Sequence, residues 1–413
     1  MPKTPGKIFR DGDSEVARIC VEALTAAQTD RETAETFTHP FHTYPARLHP
    51  ATARVLVELV ADGAKRDQPI IDPFCGSGTT LVEARANGFR TIGSDLNPLA
   101  ALVARAKTWT APPRRRTQLR EAGHMIAGAA LAAGKAARRA SAEPAPLHKP
   151  KGFDPNARDR RLASWFQPHV RRELEDIAMR IEELAEDEDE LATVLLACLS
   201  AVLYKVSSRT SDTDPTWTGE RRVGRGQAAR LFAQRVDFLV AGLTDLSKVH
   251  APMPEIHELD IRKLETIVKN GTAAGVITSP PYAGTYDYAE HQRLRFDFLG
   301  LRHREFEDGE LGARRSFEKD PPAGREAWKK ALNGFVAKIA ATLIVGRRAA
   351  FVIGDSVAAN RAVFALDDLR DALTSDLVVE AWASQERPQL GAIERRAFGD
   401  QLKREHVVVL KRV

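Results

Sequence analysis

The stretch TSPPYAGTYDYAEHQR, Thr278 to Arg293, holds three of the five tyrosines of a 413-residue chain directly behind a pair of prolines. Two successive prolines fix φ and remove both N–H donors, so the backbone at Pro280 and Pro281 offers only carbonyl acceptors and resists deformation. The Ser279 hydroxyl adds an acceptor, and Tyr282 adds a flat ring. Acceptors without donors beside an aromatic face suit an amino group with two hydrogens on a planar base. The plainer reading of a bare Pro-Pro-Tyr is a turn that ends a strand, with tyrosines packed on it. Tyr286, Tyr288 and His291 follow closely enough to shape the same pocket or hold a phosphate beside it.

A second group lies upstream in QPIIDPFCGSGTTLVEARANGFRTIGSDLNPLA, Gln68 to Ala100. Ile70 and Ile71 end an apolar run that predicts a buried strand; Gly76, Ser77 and Gly78 predict a loop; Thr79 to Ala86 has helical composition; RTIGSD predicts a strand ending at Asp95. Strand, glycine loop, helix, strand and acidic tip form the front half of a nucleotide-cradling α/β unit. Glycine lets the loop turn sharply and approach a ligand without Cβ atoms in the way. A carboxylate at the tip of the second strand can accept hydrogen bonds from both hydroxyls of a ribose. An ordinary turn is the alternative, and Asp72 before the loop with Asp95 beyond it favours the ligand.

These residues need a sheet to position them. PEIHELDIRKL predicts a strand ending at Asp260, and AAGVITSPPY one running straight into the prolines. RRAAFVIGDS, DLVVEAWAS and EHVVVLKRV supply three more, with a helix over Arg325 to Val345; the last two strands, with no convincing helix between them, suit an antiparallel pair at the sheet edge. Between the α/β halves the chain changes character. Residues 111–250 predict a charged, mostly helical insertion between a first half over 1–110 and a second over 251–413. An alanine-rich basic segment opens it; a helix over Arg171 to Glu190 ends in EELAEDEDE, which reads as a solvated face; the apolar LATVLLACLSAVLYKV follows as core. Next comes a loop in which Lys205, Arg209, Arg221, Arg222 and Arg225 surround Trp217, a mixture that suits a nucleic-acid surface and equally a plain surface loop.

Bulk properties exclude several classes. Hydrophobic residues at 43% and charged residues at 28% give a globular balance, and no run of about 18 apolar residues spans a membrane. The start MPKTPGKIFRDGDSE lacks the apolar centre of a signal peptide. Cys20, Cys75 and Cys198 are scattered without C-x-x-C spacing, which argues against a disulfide framework or a structural zinc site, so no metal is expected and the compartment reads as cytoplasm. A net charge of +5 and a pI near 9.1 lean toward an anionic partner.

DPFCGSGTT, then GSDLNP, then TSPPY together resemble the S-adenosylmethionine-dependent amino-methyltransferases of DNA, particularly the N4-cytosine group. The resemblance implies a Rossmann-like class I methyltransferase sheet over roughly 37–110 and 250–413, with S-adenosylmethionine as cofactor and DNA as substrate. It places Asp72, Phe74, Gly76 and Gly78 along the cofactor and Asp95 on its ribose. Asp260 falls where the family often has an acidic contact to the adenine, by position more than by motif. FHTYPARLHPATARVLVELV resembles the family's additional cofactor-side motif, with Phe41, Tyr44, Pro45 and Ala46 matching; a simple docking segment before a helix is the other reading. Ser279, Pro280, Pro281 and Tyr282 match the motif that holds the flipped base. About 150 residues separate the second strand from the third, which departs from many relatives and leaves open whether the insertion serves DNA, RNA or a protein.

The implied chemistry is direct transfer of a methyl group to an exocyclic nitrogen whose lone pair is delocalised into its ring. Acceptors on its two hydrogens, the Ser279 hydroxyl and the Pro280 carbonyl, favour a pyramidal nitrogen and so act most strongly in the transition state. Inside a duplex the base must leave the stack, at a cost of about a few kcal/mol that stacking on Tyr282 would offset in part. Covalent carbon-5 methylation is disfavoured, because Ser279 stands where its cysteine would be. Three readings remain: an N4-cytosine DNA methyltransferase, with a restriction nuclease as possible partner; an RNA base or adenine-N6 methyltransferase; and a nucleic-acid-binding protein that has lost catalysis.

Overall fold

The computed structural model describes residues 6–140, 161–208 and 221–413. Eight strands form one sheet in the order β1-β9-β10-β6-β5-β2-β3-β4. They are β1 (Ile8–Gly12), β2 (Ile70–Asp72), β3 (Thr91–Asp95), β4 (Glu255–Glu258), β5 (Ala273–Thr278), β6 (Leu343–Gly354), β9 (Leu377–Glu386) and β10 (Arg404–Arg412). A separate hairpin pairs β7 (Ser356–Ala358) with β8 (Arg361–Val363). Strands β4, β3, β2, β5 and β6 run parallel, while β10, β9 and β1 join antiparallel. The fold is α/β, with a Rossmann-like sheet. The central strands are short and wholly buried, IID in β2 and AAGVIT in β5, as strands covered on both faces must be.

Chain order reverses at the β2–β5 boundary, so the carboxyl ends of β2, β3, β4 and β5 open into one crevice. Helix α1 (Ser14–Thr29) and α2 (Pro50–Ala61) cover one face, and α3 (Thr79–Ala86) and α4 (Pro98–Thr108) follow β2 and β3. Gly78 begins α3 at φ 82°, with Ala104 of α4 so close that an added Cβ would lie 3.1 Å from its methyl carbon. Alanine at 78 combines a left-handed backbone with overpacking, so Gly78→Ala is expected to cost about 1–3 kcal/mol. Urea denaturation measures it; a stability unchanged within error would contradict the turn described.

Two expectations about the sheet need correction. The β9–β10 pair is antiparallel but does not form the edge: β10 lies between β6 and β9, and β1 from the N-terminal segment closes the far side. A helix, Gly391–Phe398, also lies between β9 and β10. β1 is five residues, IFRDG, with an exposed end and no alternation, so nothing local announces it; pairing with Ala381 to Gln385 of β9 makes it a strand. The third strand stops at Glu258, and Asp260 instead caps the 3-10 turn Ile261–Thr266 by accepting from the Arg262 N–H at 2.8 Å.

The insertion contributes α5 (Pro113–Ala140), α6 (Pro168–Ala185), α7 (Asp189–Leu203) and α8 (Gln227–Leu246). In α8, Phe232, Val236, Leu239, Leu243 and Leu246 recur every three or four residues and bury one face. These helices share a core with Leu99, Val103 and Trp109 on one side and with Leu294, Phe296 and Phe298 on the other. Insertion and sheet are therefore packed as one body rather than joined by a tether. Cys20, Cys75 and Cys198 are buried and free, and no helix among the described residues is long and apolar enough to cross a membrane.

Candidate active site

The crevice encloses about 710 Å³, out to its open mouth. Phe74 and Gly76 line it from the β2 loop, Asp95 to Asn97 from β3, Leu259 to Ile261 from β4, and Ser279 with Pro281 from β5. Tyr44, Pro45 and Ala46 close one side. Ala46 holds a left-handed φ of 53°, a conformation that costs about 1–2 kcal/mol for a residue with a Cβ and persists only where packing imposes it.

Asp95 organises the cofactor loop. Its two carboxylate oxygens each accept one backbone N–H at 2.9 Å, from Gly76 and from Asn97. Each oxygen keeps a second lone-pair direction for a ligand. Burial raises its pKa to about 6, against those two N–H groups, which favour the anion. Asn97 reaches back through Nδ2 to the Tyr44 hydroxyl at 3.1 Å, tying the 41–46 segment to the tip of β3. Tyr44 is itself buried, which holds its phenol far from ionisation.

Three residues expected along the cofactor lie behind it. Asp72 is buried beneath the loop, where its carboxylate accepts the Phe74 N–H at 3.2 Å; burial raises its pKa to about 7, opposed by the Thr80 hydroxyl and that N–H. Gly78 faces α4, as above. Phe41 packs in the core with Leu99 and Val103 and does not reach the cleft, because the short 3-10 turn His39–Phe41 directs it inward. Asp260 does line the cleft, but its carboxylate is engaged by Arg262. Phe74 turns its ring edge to Phe335, with centroids 5.2 Å apart.

The three tyrosines of the proline segment separate. Tyr288 faces the cofactor cleft, with its N–H bonded to Glu310 at 2.6 Å. Tyr286 bridges Tyr288 and His291, with ring centroids 5.3 Å and 5.7 Å away. Contrary to the expectation that it stacks the base, Tyr282 does not line the cleft: with Pro280, Trp328, Leu332 and Phe351 it lines a second, apolar cavity of about 360 Å³. Its ring lies against Gly354 at the end of β6, where an added Cβ would come within 2.7 Å of a ring carbon, so that position needs glycine.

Several lining residues escaped sequence reasoning. Phe306, Gly309, Glu310 and Leu311 cross over the cleft from the segment beyond the motif, and nothing in their local pattern announces them. Glu310 is buried, which raises its carboxyl, while Arg315 and the Tyr288 N–H oppose that. Arg295, 2% exposed, ties three distant segments together: it donates to Ser200 and Thr43 carbonyls at 3.3 Å and 3.2 Å and lies 4.5 Å over the Tyr204 ring. The Tyr204 hydroxyl in turn donates to the His291 carbonyl at 2.6 Å. Through this junction the insertion braces both the 41–46 segment and the tyrosine segment.

Of the basic residues expected on a nucleic-acid surface, Arg221, Arg222 and Arg225 are exposed. Lys205 is half-buried next to the Tyr204 junction, and Arg209 lies outside the described residues, as does Trp217.

Residues 40–122 match the family model described as RMKL-like, methyltransferase domain. This segment is similar to a methyltransferase domain. The match runs from the turn before Phe41 through the glycine loop and Asp95, and the methyl donor of such a domain is S-adenosylmethionine. The chain is 27% identical over 278 residues to the type II methyltransferase M.MvaI of Kocuria varians, covering 64% of this chain and 58% of that one. Over 54 residues it is 43% identical to the tRNA (guanine(10)-N2)-dimethyltransferase of Methanothermobacter thermautotrophicus, covering 13% of this chain and 16% of that one. Each of these alignments spans less than two thirds of the relative. Among solved structures, TrmN from Thermus thermophilus aligns with 91% of this chain and 52% of its own, at 12% identity and a TM-score of 0.35.

Proposed function

We propose that the chain transfers a methyl group from S-adenosylmethionine to the exocyclic N4 of cytosine in DNA, after the base has swung out of the duplex. The observation that carries this reading is that Ser279 and Pro281 share one cleft with Gly76, Asp95 and Asp260. The cleft suits the methyl donor chemically: among the described residues Asp95, Asp260 and Glu310 line it and no lysine, arginine or histidine does, Arg262 and Arg315 pairing with the last two carboxylates. Asp95, which has no ion-pair partner among the described residues, favours a cation with a diol. When bound, the sulfonium supplies an electrophilic methyl group. Asp95 would hold the ribose hydroxyls, Asp260 the adenine edge, and Tyr44, Phe74 and Gly76 the intervening wall. Ser279 and the Pro280 carbonyl would hold the two hydrogens of the amine, favouring the pyramidal nitrogen, while Asp72, Gly78 and Phe41 support the loop from behind. In this reading residues 111–250, with Arg221, Arg222 and Arg225 outermost, add nucleic-acid contacts to the two halves of the catalytic domain. The proposed setting is the cytoplasm, with a restriction nuclease as partner.

The likeness of a short stretch to a tRNA dimethyltransferase favours one other reading, an exocyclic amine in RNA. Plasmid DNA and bulk RNA, each incubated with the purified protein and labelled S-adenosylmethionine, then digested and analysed by nucleoside mass spectrometry, separate the two. N4-methyldeoxycytidine is expected. Label in RNA alone overturns the DNA substrate, and N6-methyldeoxyadenosine overturns the base.

Asp95 makes cofactor binding pH-dependent. A ligand that needs the anion binds in full above its pKa near 6 and loses affinity as pH falls. At pH 5 only about one molecule in ten carries the charge, so the cofactor Kd should rise about tenfold from pH 7 to pH 5. Calorimetric titration across that range tests this, and Asp95→Asn should remove the inflection. A flat profile in the parent protein would refute the assignment.

A further inference from the structure

We propose that the connection between β9 and β10, residues 387–403, is the surface on which the DNA duplex flanking the target base docks. This rests on the reading above and adds a surface that the sequence does not suggest. Among the described residues no lysine, arginine or histidine lines the cleft, and Arg262 and Arg315 beside it are taken up by Asp260 and Glu310, so phosphates of a nucleic acid find their cations outside it. β10 starts beside the end of β6, with Glu405 opposite Gly354, and Gly354 abuts the Tyr282 ring. The connection therefore leaves the sheet at the edge where the Ser279–Tyr282 motif lies.

It is a built ledge. Lys403 pairs with Glu394 at 2.6 Å, the Gln389 side chain donates to the Gln401 carbonyl at 2.9 Å, and Phe398 sets its ring against Phe364 with centroids 5.8 Å apart. What faces outward is unusual. Leu390 is 65% exposed, Ile393 61% and Leu402 42%, the first two being three residues apart at the start of the helix. Beside them Arg395 and Arg396 are exposed, with no ion-pair partner among the described residues. The connection carries Arg387, Arg395, Arg396 and Lys403 against Glu394 and Asp400, a net +2, and since Arg387 pairs with Glu405 and Lys403 with Glu394, its surplus sits on Arg395 and Arg396. Singly exposed leucines need no explanation, but aliphatic side chains next to unpaired guanidinium groups match a duplex, whose phosphates take the cations and whose sugar and base faces take the apolar groups.

The test measures binding of a mixed-sequence 30-base-pair duplex by fluorescence anisotropy over 50–200 mM salt, with the full chain and its R395A/R396A variant. Each lost phosphate contact removes about 0.9 from the slope of log K against log salt. The double variant should therefore lower the slope by about 2, and at 100 mM salt weaken the duplex about tenfold or more, with the S-adenosylmethionine Kd unchanged. Equal slopes and affinities in the two proteins overturn the proposal. So does a parent protein that binds RNA but no duplex DNA. A parent protein that elutes as a dimer and becomes a monomer in L390A/I393A also overturns it, since the face then belongs to a second copy. The base reading fails separately: a methylated product other than N4-methyldeoxycytidine, with R395A/R396A still weakened, leaves the ledge standing.

Discussion

Replacing Ser279 with alanine should lower kcat about 10²- to 10³-fold while the Kd for S-adenosylmethionine stays within twofold. The hydroxyl lies at the carboxyl end of β5, half-buried, on the wall of the cleft. In the proposed reaction it accepts a hydrogen from an amine whose nitrogen becomes pyramidal as it attacks, so the interaction strengthens in the transition state. Losing one preorganised hydrogen bond of this kind costs about 2.7–4 kcal/mol in enzymes that stabilise developing charge. The Pro280 carbonyl survives the substitution and leaves residual activity. Single-turnover rates with a duplex substrate, alongside calorimetric cofactor binding, measure both quantities. A rise in cofactor Kd with an unchanged rate would reassign Ser279 to the cofactor.

Asp95→Ala should weaken cofactor binding by about 30- to 10³-fold, the larger of the two expected effects on affinity among the acidic residues of the cleft. Two contributions combine. In the proposed site the ribose would lose a charged acceptor, at about 1.5–3 kcal/mol, and the Gly76 and Asn97 N–H groups lose the carboxylate that now satisfies them at 2.9 Å each. The glycine loop should loosen as well as lose its ligand, so thermal stability should fall in the same variant. Asp260→Ala should cost less, since its carboxylate already serves Arg262 and the Arg262 N–H. Calorimetry on the two variants checks the ranking; equal losses would mean that the ribose is not held chiefly by Asp95.

Much of this site is legible along the chain because it is local. From Ile70 to Asp95 the alternation of buried strand, glycine turn and helix follows from side-chain types a few residues apart, and it places the loop and the acid together. The Pro-Pro rigidity at the end of β5 is local too.

Tertiary structure decided what depends on partners far along the chain. Asp72 and Asp95 are both acids at strand ends, and only packing buried the first under the loop while leaving the second facing the cleft. Tyr282 and Tyr288 are six residues apart, yet the space beside Gly354 drew one ring away from the cleft, while the other residue lines it with its backbone N–H tied to the Glu310 carboxylate. β1 became a strand because β9 offered it an edge. Arg295 braces the site through groups 95 and 252 positions away. A sequence determines by itself the conformations its neighbouring residues prefer; which side chains meet across the fold is set by the competition of all segments for the same buried volume, and that competition has no local signature.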